Sequence, residues 1–279
     1  MTSFTLLLPV YGANSPEQLR QAFRSSVDEQ TRRPDAVVIT IDGPVPPTLD
    51  AVIADLVDTS PVAARVIRLP QNRGLATALN AGIDAIDTEY IARMDADDVC
   101  RPERFERQLS VIEARDLDIL GTGLAEFAGS SDAVIATRTP PLGGQIRRRA
   151  PFAQPFNHPT VIYRRAAVLA VGGYPTDVGR LEDYVLFARM LVAGARADNL
   201  AEPLLLYRVD NGAYTRRGGW GQFRSELRLQ RELLRVGLTS PAQYARNVVL
   251  RGSYRLAPTW LRRGGYRAAA TGWRRSHGG

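Results

Sequence analysis

Residues 4–10 are apolar almost without a break, Phe-Thr-Leu-Leu-Leu-Pro-Val, as in a strand covered on both faces. Asn14, Ser15 and Pro16 then supply capping residues and a first-turn proline, predicting a helix to about Glu29. A second apolar run, residues 36–41, stops at Asp42-Gly43-Pro44. Residues 49–57 have helical spacing, residues 64–69 form a third strand, and Asn72-Arg73-Gly74 opens a helix to about Ile86. The fourth strand, residues 90–94, ends at Asp95-Ala96-Asp97-Asp98. Strand alternating with helix predicts an α/β fold, a doubly wound and mostly parallel sheet. Such sheets bind ligands beyond the carboxyl ends of their strands. Polar clusters stand there after three of the four strands, at Asp42, at Asn72-Arg73 and at residues 95–98.

The second half is less regular. Strands are expected at residues 117–122, 133–137, 160–163 and 204–207, and a helix at 182–193. From Gly218 onward the pattern is helical, broken at Ser240-Pro241 and at Pro258. The expected division is a domain over residues 1–215 and a basic helical tail over 216–279.

Composition narrows the chemistry. With 279 residues, 44% of them apolar, the chain can bury one substantial core plus an appendage. Cys100 is the one cysteine, so no internal disulfide forms and a reducing compartment is expected. The two histidines, His158 and His277, exclude His/Cys metal clusters, so a metal would be held by oxygen. All 36 basic residues are arginine, which excludes Walker-type and Schiff-base lysines. No run reaches the roughly 20 apolar residues of a membrane helix, and residues 5–10 lack the basic lead-in of a signal peptide. The charge is uneven: from Arg216 onward fourteen arginines face only Glu226 and Glu232, a net +12, leaving residues 1–215 at −5.

Asp95 and Asp97 are two apart at the end of a strand, so their side chains point the same way and can converge on one ligand. Paired carboxylates in this place suit Mg²⁺ or Mn²⁺, hard ions that share oxygen ligands with substrate phosphates. Further on, Leu186, Phe187 and Met190 stand three, four and seven residues after Asp183, so on a helix Asp183 leads an apolar stripe. Burial there raises a carboxyl pKa, while the helix N-terminus favours the ionised form. Arg147-Arg148-Arg149 precedes an aromatic, proline-rich stretch and reads as a solvated face, with contact to an acceptor diphosphate as the alternative.

Taken in order, Pro9-Val10-Tyr11, Asp42-Gly43-Pro44, Asn72-Arg73-Gly74-Leu75 with Ala78, Asn80 and Gly82, and Asp95-Ala96-Asp97-Asp98 resemble the family 2 inverting glycosyltransferases of GT-A fold. Asn157-His158-Pro159-Thr160, Gly172-Gly173-Tyr174, Leu181-Glu182-Asp183-Tyr184 and Tyr207-Arg208 are similar to later blocks of that family. Order and spacing carry the resemblance, which spans residues 4 to 210. One departure is Ile41, where many members have an acid; Asp42 still fills the position that meets the base.

The resemblance implies a role for each matching residue. Pro9, Val10 and Tyr11 line the nucleotide site, Asp42 bonds the base, and Arg73 and its loop border base and phosphates. Asp95, with Ala96 beside it, meets ribose or sugar, Asp97 holds Mn²⁺ or Mg²⁺, and Asp183 is the catalytic base. His158 and Glu182 are acceptor-side candidates, with a hydrogen-bonded scaffold role open for the first and a structural one for the second. Residues 1–100 would take the nucleotide-sugar, UDP-linked as first expectation, and residues 101–215 the acceptor, a saccharide or lipid-linked saccharide. The implied setting is bacterial cell-surface polysaccharide or glycolipid synthesis, in the cytoplasm or on the inner face of the membrane.

Other assignments fit less well. After the first strand stands Tyr11-Gly12-Ala13-Asn14, without the glycine pattern of a dinucleotide-binding domain or the basic signature of a nucleotidylyltransferase. A haloacid-dehalogenase-like phosphatase needs a lysine. The remaining alternative, a non-catalytic scaffold or nucleic-acid binder with a transferase-like domain, would be favoured by loss of Asp97 or Asp183, and both are present. In the tail, Trp220, Phe223, Leu227 and Leu234 form an apolar stripe. Beyond it, Tyr254, Trp260, Tyr266 and Trp273 alternate with arginines, which suits an anionic membrane surface. Nucleic acid is not expected, since no binding motif accompanies the charge.

Overall fold

The computed structural model describes residues 2–179, 181–209 and 220–256. The chain divides into two compact units, Met1–Asp210 and Asn211–Gly279. In the first, the order is β1 (Phe4–Tyr11), α1 (Pro16–Val27), β2 (Ala36–Asp42), α2 (Pro47–Asp58), β3 (Ala63–Leu69), α3 (Leu75–Asp84), β4 (Tyr90–Arg93) and β5 (Val99–Cys100). Then come α4 (Arg104–Arg115), β6 (Ile119–Phe127), β7 (Val134–Arg138), α5 (Gln145–Arg149), a 3-10 turn (His158–Thr160), β8 (Ile162–Arg164), α6 (Arg165–Ala170), α7 (Glu182–Val192) and β9 (Ala197–Arg208).

One sheet carries the unit, in the order β3-β2-β1-β4-β8-β6-β9-β5, with β7 paired to β6. Strands β1 to β4 are mutually parallel, and β6 runs parallel to β9. Strands β5, β7 and β8 join antiparallel. The apolar runs of the first hundred residues are the parallel strands, and seven of the eight residues of β1 are buried. Leu19 and Phe23 of α1, Ile53 of α2 and Phe105 of α4 are buried in the core with these strands. Each such side chain contributes about 1.5–3 kcal/mol over its exposed state. Phe4 and Phe105 meet edge to face at 5.1 Å.

The second half departs from the sequence reading. Helices α4, α5 and α6 and the short β5 were not expected, and β6 and β9 are longer than expected. The two long strands pair through register shifts on either side of Gly123. There a Cβ would come within 2.5 Å of the Ala201 carbonyl oxygen. Pairing through irregular backbone, with Asp198, Asn199 and Pro203 in the strand, leaves no run of alternating hydropathy to read.

In the second unit α8 (Trp220–Arg235) and α9 (Pro241–Leu256) pair, with the break at Ser240-Pro241. The deeply buried face of α8 is not the expected stripe. Leu229 and Leu233 are buried together with Glu226 and Gln230, while Phe223, Leu227 and Leu234 are half-buried. Polar partners on α9 explain it: Asn247 Nδ2 donates to Gln230 Oε1 at 3.1 Å, and Arg251 Nε lies 2.8 Å from Glu226 Oε1. Gln230 in turn donates to Glu226 at 3.0 Å. The side chains of Trp220 and Tyr254, and the aromatic–arginine segment beyond Leu256 with Pro258, lie outside what the structure describes. No described helix is long and apolar enough to cross a membrane.

Candidate active site

Strand register sets the first wall. Tyr11, Asp42 and Leu69 are aligned across β1, β2 and β3 at their carboxyl ends. Pro9 and Val10 are buried, whereas Tyr11 is 48% exposed at the strand's end. Asp42 is inside: Oδ1 accepts the Arg73 N–H at 2.7 Å and Oδ2 the Gly74 N–H at 2.8 Å. The carboxylate thus fixes the loop that leads into α3, while the Arg73 side chain stays exposed. Gly43 (φ 83°) lies so close to this loop that a Cβ would come within 2.4 Å of the Asn72 nitrogen. Only glycine fits both the angle and the space.

The turn after β4 brings three carboxylates together. Ligand oxygens of Asp95, Asp97 and Asp98 lie within 4.8 Å of one another. Asp95 and Asp97 are part-exposed, while Ala96 and Asp98 between and after them are buried. Burial first, then Asp95, pushes the Asp97 carboxyl up to about 6. Burial, Asp95 and Asp97 push Asp98 well above the usual carboxylate range. Asp98 Oδ1 accepts the Arg208 N–H at 2.9 Å, and its buried Oδ2 has no partner among the described residues. Crowded, mutually repelling acids with an orphaned oxygen are a donor set that fits a hard divalent cation.

Two arginines brace this turn, and sequence reasoning assigned neither. Arg93, 2% exposed, pairs with Asp95 at 2.5 Å; it is two residues before it on the same side of the strand. Its Nε and Nη1 are buried without a partner among the described residues. Arg208, at the end of β9, donates from Nε to the Asp97 carbonyl at 2.8 Å and stacks on Phe127 at 4.5 Å. Asp98, quoted in the acidic motif but given no role, is the third acid.

Helix α7 presents Asp183 in its first turn. Oδ1 accepts the Tyr184 N–H at 2.7 Å, and Oδ2 accepts from Gln154 Nε2. Burial holds this carboxyl above its ordinary value, against the Gln154 and Tyr184 bonds and the Arg93 charge. Glu182 is buried beside it at 6% exposure. At the other end of α7, Arg147 donates to the Leu191 and Ala195 carbonyls at 2.7 and 2.9 Å. Arg147, Arg148 and Arg149 are exposed, as a solvated face is, and Arg147 is in addition a helix C-terminal cation. His158 is 8% exposed, with Nε2 at 2.8 Å from the Tyr174 hydroxyl and Nδ1 at 3.7 Å from Asp183 Oδ2.

Residues 5–171 match the family model described as "Glycosyl transferase family 2". The chain is 37% identical over 260 residues to an uncharacterized glycosyltransferase of Haemophilus influenzae, covering 92% of this chain and 95% of that one. It is 33% identical over 256 residues to the amylovoran biosynthesis glycosyltransferase AmsE of Erwinia amylovora, covering 91% and 94%. It is 30% identical over 260 residues to the UDP-Gal:alpha-D-GlcNAc-diphosphoundecaprenol beta-1,3-galactosyltransferase of Escherichia coli, covering 93% of each. Among solved structures, S. aureus TarS 1–349 in complex with UDP-GlcNAc superposes with a TM-score of 0.64 at 17% identity, over 91% of this chain and 72% of that one. The mannosyltransferase PcManGT of Pyrobaculum calidifontis, in complex with GDP-Man and Mn²⁺, gives 0.59 at 18% identity, over 99% and 76%. The fold is that of the GT-A glycosyltransferases. The chain belongs to glycosyl transferase family 2.

Proposed function

We propose that this glycosyltransferase moves a sugar, with inversion, from a nucleotide diphosphate to an acceptor hydroxyl in bacterial cell-surface polysaccharide or glycolipid synthesis. One observation carries the reading: three carboxylates gathered beyond β4, and a separate part-buried carboxylate, Asp183, heading α7. Asp97, with Asp95 and Asp98, would hold Mn²⁺ or Mg²⁺, and a bound ion offsets charge that builds on the leaving diphosphate. Tyr11 offers an exposed ring for the base, beside Pro9, Val10 and Ala96. Asp42 holds the Arg73 loop through both oxygens, and each keeps a second acceptor site for the base.

Asp183 is the base that takes the acceptor's proton. Its raised pKa makes it a stronger base, and the bonds from Gln154 and Tyr184 keep it ionised. The exposed Gln154 amide marks the side of Oδ2 from which a hydroxyl can donate. Supporting a lipid-diphosphate-linked saccharide acceptor and a UDP-sugar donor is the Escherichia coli relative, whose name states both. The PcManGT complex supports Mn²⁺. Thermal-shift screening of nucleotide-sugars with and without Mn²⁺ tests the donor. A ligand at about 100 Kd adds roughly 2.7 kcal/mol, and no shift with any nucleotide-sugar overturns the reading.

The basic tail, in this proposal, seats the enzyme on the anionic inner face of a membrane. On α9, Val249 and Leu250 are exposed beside Arg246. Each arginine at an anionic surface adds about 1 kcal/mol. The full chain should co-sediment with anionic but not neutral vesicles, and a chain ending at Thr215 with neither; equal binding by both sinks the tail assignment.

A further inference from the structure

A line of buried polar groups runs inward from the proposed base. His158 Nδ1 faces Asp183 Oδ2 at 3.7 Å, His158 Nε2 meets the Tyr174 hydroxyl at 2.8 Å, and that hydroxyl lies 3.3 Å from the Tyr163 hydroxyl. Tyr174 and Tyr163 are 1% and 0% exposed. Tyr174 is itself anchored to α3. Its N–H donates to Asn80 Oδ1 at 2.9 Å, and Asn80 Nδ2 donates to its carbonyl at 2.8 Å. Gly173 (φ 68°) permits this contact, since a Cβ there would come within 2.7 Å of Asn80 Oδ1. The helix that begins at the Asp42-held loop therefore fixes the tyrosine that fixes the histidine.

We propose that His158 and Tyr174 are positioning residues for Asp183, with the His158 Nδ1–H directed at the carboxylate and the Tyr174 hydroxyl donating to Nε2. The tautomer follows from satisfaction of buried groups. A neutral imidazole has one donor and one acceptor nitrogen. Were the proton on Nε2, the Nδ1 lone pair would face the lone pairs of a carboxylate. With the proton on Nδ1, each ring nitrogen has a complementary partner: N–H toward the carboxylate, and the Tyr174 O–H to Nε2 at 2.8 Å in preference to its longer 3.3 Å contact with the Tyr163 oxygen. Burial, then the Arg93 charge, holds His158 well below its ordinary pKa. The groups facing it are Asp183 from α7, Tyr174, Tyr163 from β8 and Arg93 from β4, and of these only Asp183 favours an imidazolium. Phe187 covers the ring edge-on at 5.9 Å.

At 3.7 Å the Nδ1 contact exceeds a hydrogen bond, and such contacts tighten in the substrate complex. As the acceptor hydroxyl takes the place of the Gln154 amide at Oδ2, the histidine N–H holds the carboxylate's orientation and ionised state. This inference rests on Asp183 being the base.

The chain has two histidines, so its imidazole ¹⁵N spectrum is readable, with His277→Asn assigning the second signal set. In the full chain His158 should stay neutral, protonated at Nδ1, between about pH 5 and 8, where an ordinary histidine titrates. Titration within that window, or a proton on Nε2, overturns the proposal without any appeal to activity. Kinetically, Tyr174→Phe should lower kcat about 10-fold with the donor KM unchanged, less than the 10²-fold or more of a lost base. His158→Asn, whose amide nitrogen falls near the Nδ1 position, should keep more kcat than His158→Leu. Equal kcat in the two histidine variants, or wild-type kcat in Tyr174→Phe, points to packing alone. Full turnover by Asp183→Asn removes the base assignment while leaving the tautomer measurement standing, so the two readings fail separately.

Discussion

The two halves of the sheet hold their carboxylates by opposite means. Around β1 to β4 the strands are parallel and apolar, and their register is unbroken. There Asp42 is tied by two main-chain N–H groups, and Gly43 is packed against the loop it faces. Around β6, β8 and β9 the sheet is mixed, its register shifts, and Asp183 is held by one main-chain N–H and the side chain of an exposed glutamine. In the proposed reading the first half is the nucleotide side, and it is preorganised, as fixed dipoles must be to act without reorganising. The second half, the acceptor side of that proposal, keeps partners that can be exchanged, which the proposed base needs if a hydroxyl is to reach it.

Four measurements sharpen this contrast. The largest effect is expected of Asp97→Ala, in which Mn²⁺-dependent nucleotide binding should fall below calorimetric detection while cation-free stability does not drop. Undiminished binding would place the metal elsewhere. Next is Asp183→Asn, which keeps shape but accepts no proton. Its kcat should fall about 10²-fold or more with donor binding intact, and full turnover together with an inactive Glu182→Gln would move the role to Glu182.

A smaller effect separates the two loops. Gly43→Ala carries positive-φ strain of about 1–3 kcal/mol plus a backbone clash, whereas Gly172 (φ 81°) has open space around it. Urea unfolding should therefore show the larger loss for Gly43→Ala, and equal losses would mean that the Asp42 loop is not rigid. The mildest effect is in pH. With its folded pKa raised to about 6, Asp97 favours the folded state below the ordinary carboxylate value and loses that contribution as pH rises through about 6. Cation binding must displace this proton, so Mn²⁺ affinity should rise about tenfold per unit below pH 6 and then level off. A flat profile would detach the proton from the metal.

The same contrast explains what could be read from the chain. Apolar runs at residues 4–10, 36–41 and 90–94 announce buried parallel strands, because both faces of each must be covered, whereas residues 64–69, with Arg65 and Arg68, form the edge strand β3, none of whose residues is fully buried. Phe105, Leu109 and Ile112 carry the spacing of α4, yet charged neighbours hide it. Residues 123–127 and 197–203 join the sheet through backbone pairing that side-chain pattern does not encode. Asp97 and Asp183 stand out as carboxylates at element ends. Arg93 does not, because an arginine closing an apolar strand reads as the point where burial stops. Here its ion pair with Asp95 lets burial continue past it. The His158–Tyr174 contact depends on α3 holding Tyr174, which neither local sequence reveals.

The polar seam between α8 and α9 works as a key in a lock. A hairpin joined by leucines alone could slip by one turn and lose little. Here a slip would strand Glu226, 1% exposed, away from Arg251, and a buried charge without its partner costs about 3–5 kcal/mol. The pair of helices therefore has a single way to close.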